Sequence, residues 1–493
     1  MASDFTRRGF VQLAAGFGAV MTMSPLSLLS ASNTIERASV VRTLGKTNWQ
    51  VKTLSLGGQA SLQWTRSGID PVEIILEAIN SGINYIDTSN VYGPSQTNFG
   101  KAFKKMMLVP GSPGYNEKLR RSLFIATKTK MRYAYSEKGD KGPGSGSNGR
   151  WVENAIDDVK RSLAKMFGDG ERKYPEGAYL DAVQIHNLTS FEEVDAIYNG
   201  LDNPDSKHGP IGALAGLLDL RDGTNRTGLN PKKERLIRHI GITGHLSSPV
   251  LIYAIQRDEM NIIDTLLVAI NINDRGYLNH QYNAIPVAKA KNMGVIGMKV
   301  FADGVFYGKR SRFSFMPRDV ILSVGSSDMP SNLPIQYSLS VPGVDTVIIG
   351  TGNTQQLKAN IKAANNEYLL DEKERRYLEE GTKDTIGIDT NYFQKKFEGL
   401  SKPRNVKSTP MPSNNSSRAY KISWDAAYAG NEPIVKYEVL MDDKIIGFID
   451  YRPQTTLKPY TYKLEIDGDN AHEVSVKVVD RGNDENVSKK ILV

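Results

Sequence analysis

The sequence predicts a (β/α)8 TIM barrel followed by a small all-β sandwich. From about Arg42 to Ile388, eight apolar runs of strand length alternate with segments of helical periodicity, which is the size and count of a closed β/α barrel. Beyond about residue 408, short runs of alternating apolar and polar residues are separated by Asp, Gly and Asn turns, a pattern typical of a β-sandwich. A doubly wound sheet is the alternative for the first part, but no G-x-G-x-x-G motif follows the first strand.

Composition limits the classes of protein that fit. The 493 residues are enough for two or three domains, and 62 Lys and Arg against 54 Asp and Glu give a net charge of +8. These charges are scattered and are not clustered with aromatic residues, so we predict no nucleic-acid partner. There is no cysteine, which excludes disulfides and cysteine-ligated zinc or iron–sulfur clusters, and no metal site is predicted.

The N-terminus has the pattern of an export signal. Arg7 and Arg8 precede an apolar run from Leu13 to Met23 and small residues up to about Ala31. We therefore predict a twin-arginine signal over residues 1–31, with the twin-arginine export machinery as a partner and a periplasmic or otherwise exported bacterial protein. A basic N-terminus before a buried helix is the alternative. Beyond this segment no apolar run reaches the roughly 18 to 20 residues of a membrane span.

The predicted barrel elements follow in order over residues 42–388. Asp70 and Pro71 predict an N-cap and a first helical position ahead of an apolar helix face, and a second helix is predicted from Trp151 to Phe167, ending at Gly168. The eight predicted strands are Val51–Leu56, Ile83–Ile86, Leu123–Ala126, Leu180–Ile185, Ile237–Ile242, Thr265–Ile272, Val295–Val300 and Thr346–Ile349.

Polar side chains follow three of these strands directly. Asp87 and Tyr92 come after the second strand, Lys128 ends the third, and His186 ends the fourth. Because the carboxyl ends of parallel strands meet at one mouth of a barrel, we expect these four side chains to converge there. Each alone has an ordinary structural explanation, such as a turn cap, a surface lysine or a core histidine.

The contexts of these residues, YIDTSNVYG, IATKT and VQIHN, resemble the aldo-keto reductase superfamily over nearly all of residues 42–388. Further matching stretches are Gly241–His245, Gly294–Lys299 and Ile348–Asn360. The resemblance implies that Tyr92 donates a proton to the carbonyl oxygen and that Lys128 lowers the pKa of Tyr92. It also implies that Asp87 orients Lys128 and that His186 directs the carbonyl by a hydrogen bond.

The same resemblance implies a nicotinamide dinucleotide, NADP or NAD. The cofactor-binding residues that it implies are Thr243, Gly244, Asn271, Lys299, Gly350, Thr351, Gly352, Asn353, Gln356 and Asn360. Two departures stand out: Ala269 and Ile272 occupy the region where the family places an aromatic ring against the nicotinamide, and the last motif lacks the usual cations for a 2′-phosphate. The choice between NADP and NAD therefore stays open, and an exported protein would need to carry its cofactor tightly bound.

The remaining segments bear on substrate and partners. Long loops over 131–150, 188–231 and 303–329 would set the choice of a small carbonyl or alcohol substrate. A sugar-derived substrate is one interpretation of their aromatic residues and Trp64, and an apolar carbonyl is the other. Residues 389–407 are predicted to be a linker, and residues 408–493 resemble a fibronectin type III domain, in the segments around Trp424, Tyr437 and Asp480, with no identifiable partner. A non-catalytic binding or scaffold protein on a reductase barrel is the alternative function.

Overall fold

The computed structural model describes residues 37–146, 151–326, 329–366, 368–397, 399–412 and 417–493. The predicted export signal over residues 1–31 lies outside the described residues. The described chain forms two compact units. The first contains the residues up to His245 with Ile263–Asn273 and Asn292–Tyr392, and the second contains Leu246–Ile262, Asp274–Lys291 and Phe393–Val493. None of the described helices combines the length and apolar character that a membrane span requires.

The described part of the first unit is built on a closed parallel barrel. The described part of this unit has twelve strands, and eight of them form the barrel. The twelve are β1 (Val41–Thr43), β2 (Gln50–Lys52), β3 (Leu54–Gly57), β4 (Tyr85–Asp87), β5 (Phe124–Thr129), β6 (Tyr133–Tyr135), β7 (Leu180–Ile185), β8 (Ile211–Gly212), β9 (Ile237–Gly244), β10 (Thr265–Ala269), β11 (Gly294–Met298) and β12 (Thr346–Gly350). The barrel order is β3-β4-β5-β7-β9-β10-β11-β12, and β12 pairs in parallel with β3 to close it. The predicted barrel is therefore confirmed.

The helices follow the strands as expected for β/α units. They are α1 (Pro71–Asn80), α2 (Ser95–Lys105), α3 (Glu117–Arg121), α4 (Ala155–Phe167), α5 (Phe191–Tyr198), α6 (Ala213–Asp222), α7 (Ser248–Arg257), α8 (Ala284–Ala290), α9 (Asn332–Ser340), α10 (Thr354–Ala364) and α11 (Glu372–Thr385). The Asp70 carboxylate accepts a hydrogen bond from Val72 N at 2.8 Å, as its N-cap position predicts. The second predicted helix begins at Ala155, because Asn154 caps it.

One end of the barrel is closed by its own chain. β1 and β2 form an antiparallel hairpin, and Leu44 and Val51 pack in one apolar cluster with Tyr85 and Phe124, the first residues of β4 and β5. The hairpin thus covers the amino ends of the strands. The carboxyl ends, where β4 and β5 bring Asp87 beside Ala126, are left to the connecting loops.

The second unit contains two antiparallel sheets. Their strands are β13 (Arg404–Met411), β14 (Ser417–Asp425), β15 (Ile434–Met441), β16 (Lys444–Asp450), β17 (Tyr460–Asp467), β18 (Glu473–Asp480), β19 (Glu485–Val487) and β20 (Ile491–Leu492). One sheet has the order β13-β14-β17, and the other has β16-β15-β18-β19 with β20 on β18. The rings of Trp424, Tyr437 and Tyr460 pack together in the core between them, with Trp424 and Tyr460 stacked at 5.7 Å. These strands fit the predicted β-sandwich.

The predicted linker differs from the observed chain at both ends. Thr390 and Asn391 are buried in the first unit, and Phe393 and Gln394 are buried in the second. β13 begins at Arg404, four residues before the predicted start of the sandwich at 408. The polar composition of this segment reflects side chains that hydrogen-bond inside the protein, which composition alone cannot distinguish from a solvated linker.

Candidate active site

The four predicted catalytic residues all lie at the carboxyl end of the barrel. Asp87 is the last residue of β4, Tyr92 lies in the turn that follows, Lys128 is the penultimate residue of β5, and His186 follows β7. Each is nearly or fully buried. The regular spacing of parallel strands is what brings these side chains together.

A buried ion pair lies at the centre of the group. Lys128 Nζ donates a hydrogen bond to Asp87 Oδ1 and another to the carbonyl oxygen of Thr88 at 2.9 Å. The same ammonium is 4.9 Å from the centroid of the Tyr92 ring, and the edge of that ring meets His186 with the centroids 5.7 Å apart. The ammonium, the phenol and the imidazole are therefore neighbours, as predicted.

The ionisation of Tyr92 is opposite to the predicted direction. Burial raises the pKa of Tyr92 well above its ordinary value of 10.0, and the nearby carboxylates Asp87 and Asp303 raise it further. The Lys128 ammonium, which is paired with Asp87, does not outweigh these contributions. Burial also lowers the pKa of Lys128 and raises that of Asp87, and each shift is opposed by the attraction within the pair.

His186 is held as a neutral imidazole. Burial lowers its pKa well below 6.5, and the positive charges of Lys128, His245, Arg132 and Lys130 lower it further. Its Nδ1 lies 3.3 Å from Ser89 Oγ. A neutral imidazole has one N–H donor, so His186 can still donate a hydrogen bond to a substrate oxygen.

A deep cavity opens beside Asp87 and Tyr92. Its space, counted together with the open solvent at its mouth, is about 1040 Å³. Its aromatic walls are Trp64, Tyr92, Phe301, Tyr307 and Phe313. Two residues that line the cavity, Asp87 and Tyr307, have a buried oxygen without a hydrogen-bond partner: Oδ2 of Asp87 and the hydroxyl of Tyr307. Orphaned buried oxygens of this kind indicate a place for a polar ligand.

Three of the ten predicted cofactor residues line this cavity: Lys299, Gly350 and Gln356. The others are placed around it in structural roles. Asn353 caps α10, Thr243 Oγ1 accepts a hydrogen bond from Asn187 N, and Asn360 is buried within α10. Gly244 ends β9, and the carbonyls of Thr351 and Gly352 accept hydrogen bonds from Ser61.

Asn271 is the predicted cofactor residue that differs most. Its amide donates to the Lys299 carbonyl at 3.1 Å and exchanges two hydrogen bonds with the amide of Asn391, at 2.9 and 3.1 Å. The side chain is fully buried and does not line the cavity. Two residues on, the Asn273 amide donates to Gly387 O and Thr390 Oγ1. Both asparagines hold the segment 387–391.

One charged cluster in the cavity wall, centred on Asp303, is not among the predicted features of the site. The carboxylate of Asp303 accepts from Lys299 Nζ at 2.7 Å, from Lys309 Nζ at 2.9 Å and from the Tyr392 hydroxyl at 2.6 Å. The two ammoniums lower the pKa of Asp303 to about 2 against the cost of burial. Its partners lie 4, 6 and 89 residues away along the chain, so only the spacing to the two lysines could have suggested the cluster.

Comparison with known proteins identifies the family. The model of the Aldo/keto reductase family matches residues 53–320, more than half of the 493 residues. The chain belongs to the aldo/keto reductase family. The match covers seven of the eight barrel strands and all four predicted catalytic positions.

Individual relatives of this aldo/keto reductase are distant. The chain is 25% identical to L-galactose dehydrogenase of Arabidopsis thaliana over 339 residues, which are 66% of this chain and 87% of that protein. It is 22% identical over 364 residues to the uncharacterized oxidoreductase YqkF of Bacillus subtilis (strain 168), covering 70% of this chain and 97% of the relative. Among solved structures it is similar to aldo-keto reductase AKR11C1 from Bacillus halodurans in its holo form, with 21% identity, a TM-score of 0.42 and coverage of 69% and 95%.

Proposed function

We propose that this aldo/keto reductase transfers a hydride between a nicotinamide dinucleotide, NADP or NAD, and the carbonyl or alcohol carbon of a small substrate. The observation that carries the proposal is the contact of Lys128, Tyr92 and His186 next to a cavity of about 1040 Å³. The orphaned oxygens of Asp87 and Tyr307 and the aromatic walls of this cavity fit a ligand that is part polar and part planar.

The roles of the residues follow from their ionisation. A bound dinucleotide would supply or accept the hydride. Tyr92 keeps its proton near neutral pH, and because a phenol is a much stronger acid than an alcohol, it can protonate an alkoxide even with its pKa raised. His186, as a neutral donor, holds the substrate oxygen against Tyr92. The Lys128 ammonium stabilises the phenolate that remains.

One purification tests both which dinucleotide the protein binds and whether the protein is exported. We propose that the protein is exported with its dinucleotide already bound, so protein purified from the periplasmic fraction without added cofactor should contain NADP or NAD by mass analysis. Titration of emptied protein should quench the fluorescence of Trp64, which lines the cavity, and Trp64→Phe should remove that signal. If neither dinucleotide binds below millimolar concentration, the barrel is a binding or scaffold module instead.

Replacing the proposed proton donor, Tyr92, tests the protonation step directly. Tyr92→Phe should lower kcat for an aromatic aldehyde by roughly 10²- to 10⁴-fold, the usual contribution of a general acid, while the dinucleotide Kd stays within about twofold. Tyr174→Phe is a matched control, since the Tyr174 hydroxyl bonds Glu234 away from the cavity. Equal turnover by wild type and Tyr92→Phe would remove Tyr92 from the mechanism.

A further inference from the structure

A buried carboxyl group lies behind the catalytic residues without touching the cavity. Asp158 is in the first turn of α4, and it is 1% exposed. Its Oδ2 accepts a hydrogen bond from Thr129 Oγ1 at 2.8 Å and another from Asn90 Nδ2. Its Oδ1 is buried and has no partner.

The two donors belong to the segments that carry the catalytic side chains. Asn90 lies between Asp87 and Tyr92, and Thr129 follows Lys128 in β5. The carbonyl of Thr129 in turn accepts a hydrogen bond from His186 N at 2.8 Å. One oxygen of Asp158 therefore joins the Tyr92 turn to the Lys128 strand, and through Thr129 reaches the backbone of His186.

A side-chain route leads from Asp158 to the imidazole as well. A carboxylate only accepts, so it fixes Asn90 with its NH2 group toward Asp158 and its carbonyl toward Ser89. Ser89 Oγ lies 3.2 Å from Asn90 Oδ1 and 3.3 Å from His186 Nδ1. Ser89 has a single hydrogen for these two acceptors, so the orientation of Asn90 bears on which nitrogen of His186 is protonated.

Stability alone does not account for this carboxyl group. Burial raises the pKa of Asp158 to about 7, even though Thr129, Asn90 and Arg161 favour its charged form, and Asp157 raises it slightly. Buried charge with an unpartnered oxygen is costly, and apolar replacements of such groups are often neutral or stabilising. The group is therefore best explained by what it holds in place.

We propose that Asp158 is a positioning residue of the active site, which holds the Tyr92 turn, the Lys128 strand and the His186 imidazole in their reactive arrangement. The inference rests on the proposed reductase function for its kinetic consequence. Asp158 touches neither substrate nor cavity, so its influence is exerted through Asn90 and Thr129.

Three variants test the proposal. Asp158→Ala removes the acceptor and should lower kcat at least tenfold, with KM and the dinucleotide Kd changed less than about threefold. In Asp158→Asn, the amide carbonyl can accept from Thr129 and Asn90, and the NH2 group takes the place of the unpartnered Oδ1. This variant should therefore keep most of the wild-type kcat. It should lose the part of the pH profile that titrates near 7, because the amide does not ionise. Thr129→Val tests the same contact from the other side if Asp158→Ala fails to fold.

The control and a second measurement make the outcome unambiguous. Asp157→Asn changes the adjacent residue of α4, whose carboxylate accepts hydrogen bonds from Glu153 N and Asn154 Nδ2, and it should leave kcat and the ring shifts of His186 as in wild type. Nitrogen-15 NMR of the His186 ring reports its tautomer without any turnover, and the ring shifts should change in Asp158→Ala and Thr129→Val. Unchanged kcat and unchanged ring shifts in both variants would overturn the proposal. Altered ring shifts in a protein that reduces no carbonyl would instead count against the proposed function.

Discussion

The pKa values of two buried carboxyl groups near the active site shift in opposite directions because the hydrogen-bond partners of the two groups differ. Asp303 receives two ammoniums and a hydroxyl, and its pKa falls to about 2. Asp158 receives only neutral donors on one oxygen, and its pKa rises to about 7. Burial penalises both charges, so it is the two lysines that keep Asp303 ionised.

The depressed pKa of Asp303 predicts a pH-dependent contribution to stability. Its folded pKa of about 2 lies below the ordinary value of 3.8, so its contribution is fully present above about pH 4 and is lost as the pH falls through 2. Asp303→Asn should lower the free energy of unfolding by on the order of 2 kcal/mol at pH 7 by denaturant titration, and by less at pH 3. Asp384→Asn, at an exposed position of α11, should change it by less than about 0.5 kcal/mol. Equal stability of wild type and Asp303→Asn at pH 7 would show that the lysine pairs contribute nothing.

At the scale of elements, the site depends on how closely β3 and β4 approach at their carboxyl ends. Gly58 follows β3, and a Cβ there would lie 2.7 Å from the Asp87 carbonyl oxygen and 2.7 Å from Ser95 Oγ. The absence of a side chain lets the end of β4 and the start of α2 pack against this turn. The position of Asp87, and with it that of Lys128, therefore depends on this glycine.

Gly58→Ala should disturb the catalytic arrangement directly. The added methyl group must push the Asp87 carbonyl away, so we expect a loss of activity of at least tenfold and a stability loss of roughly 1 to 3 kcal/mol. Gly276→Ala is the matched control, because a Cβ at Gly276 meets no atom within 4 Å. A fully active Gly58→Ala enzyme would show that the strand ends adjust at no cost.

The parts of this molecule that sequence predicts are those with a local cause. The barrel strands appear as apolar runs because both faces of a parallel strand are buried, and Asp87, Lys128 and His186 stand out as the polar residues that end such runs. The resemblance to the family implies a cofactor role for Asn271, but its hydrogen bond to Asn391, 120 residues away, has no local signal in the sequence. The positioning role of Asp158 has no local signal in the sequence either, since its hydrogen-bond partners Thr129 and Asn90 are 29 and 68 residues away along the chain.

The sandwich shows the same limit on prediction. The predicted sandwich segments around Trp424, Tyr437 and Asp480 lie in β14, β15 and β18. The start of β13 at Arg404 is not predicted, because all its residues are exposed or half-buried and it contains Pro410, so it carries no apolar alternation. Edge strands of this kind are defined by the neighbour they pair with, here β14.

At the scale of the whole molecule, the second unit is built from three separate pieces of chain. Asn283 donates to the carbonyl of Ala429 at 3.1 Å and accepts from Ala429 N at 2.9 Å, while Asn279 donates to the Gly430 carbonyl at 2.7 Å. Gln256 of α7 donates to the Gln454 carbonyl at 2.8 Å. Side-chain amides therefore join the sandwich to Leu246–Ile262 and Asp274–Lys291.

Removing one of these amides should destabilise the second unit. Asn283→Ala leaves both backbone groups of Ala429 buried and unpaired, so we expect a loss of about 2 to 3 kcal/mol in the free energy of unfolding. Asn470→Ala, at an exposed position, is the control and should be neutral within about 0.5 kcal/mol. Calorimetry of both variants beside wild type would check this, and unchanged unfolding of Asn283→Ala would mean that water replaces the amide.

The chain passes between the two units five times, at 245/246, 262/263, 273/274, 291/292 and 392/393. During synthesis, Leu246–Ile262 and Asp274–Lys291 leave the ribosome more than 100 residues before the end of the sandwich strands that they bind. The second unit cannot assemble until residues 393–493 have been made, so the segments that join β9 to β10 and β10 to β11 wait for these residues. Until then these side-chain amides can hydrogen-bond only to water or to other parts of the nascent chain.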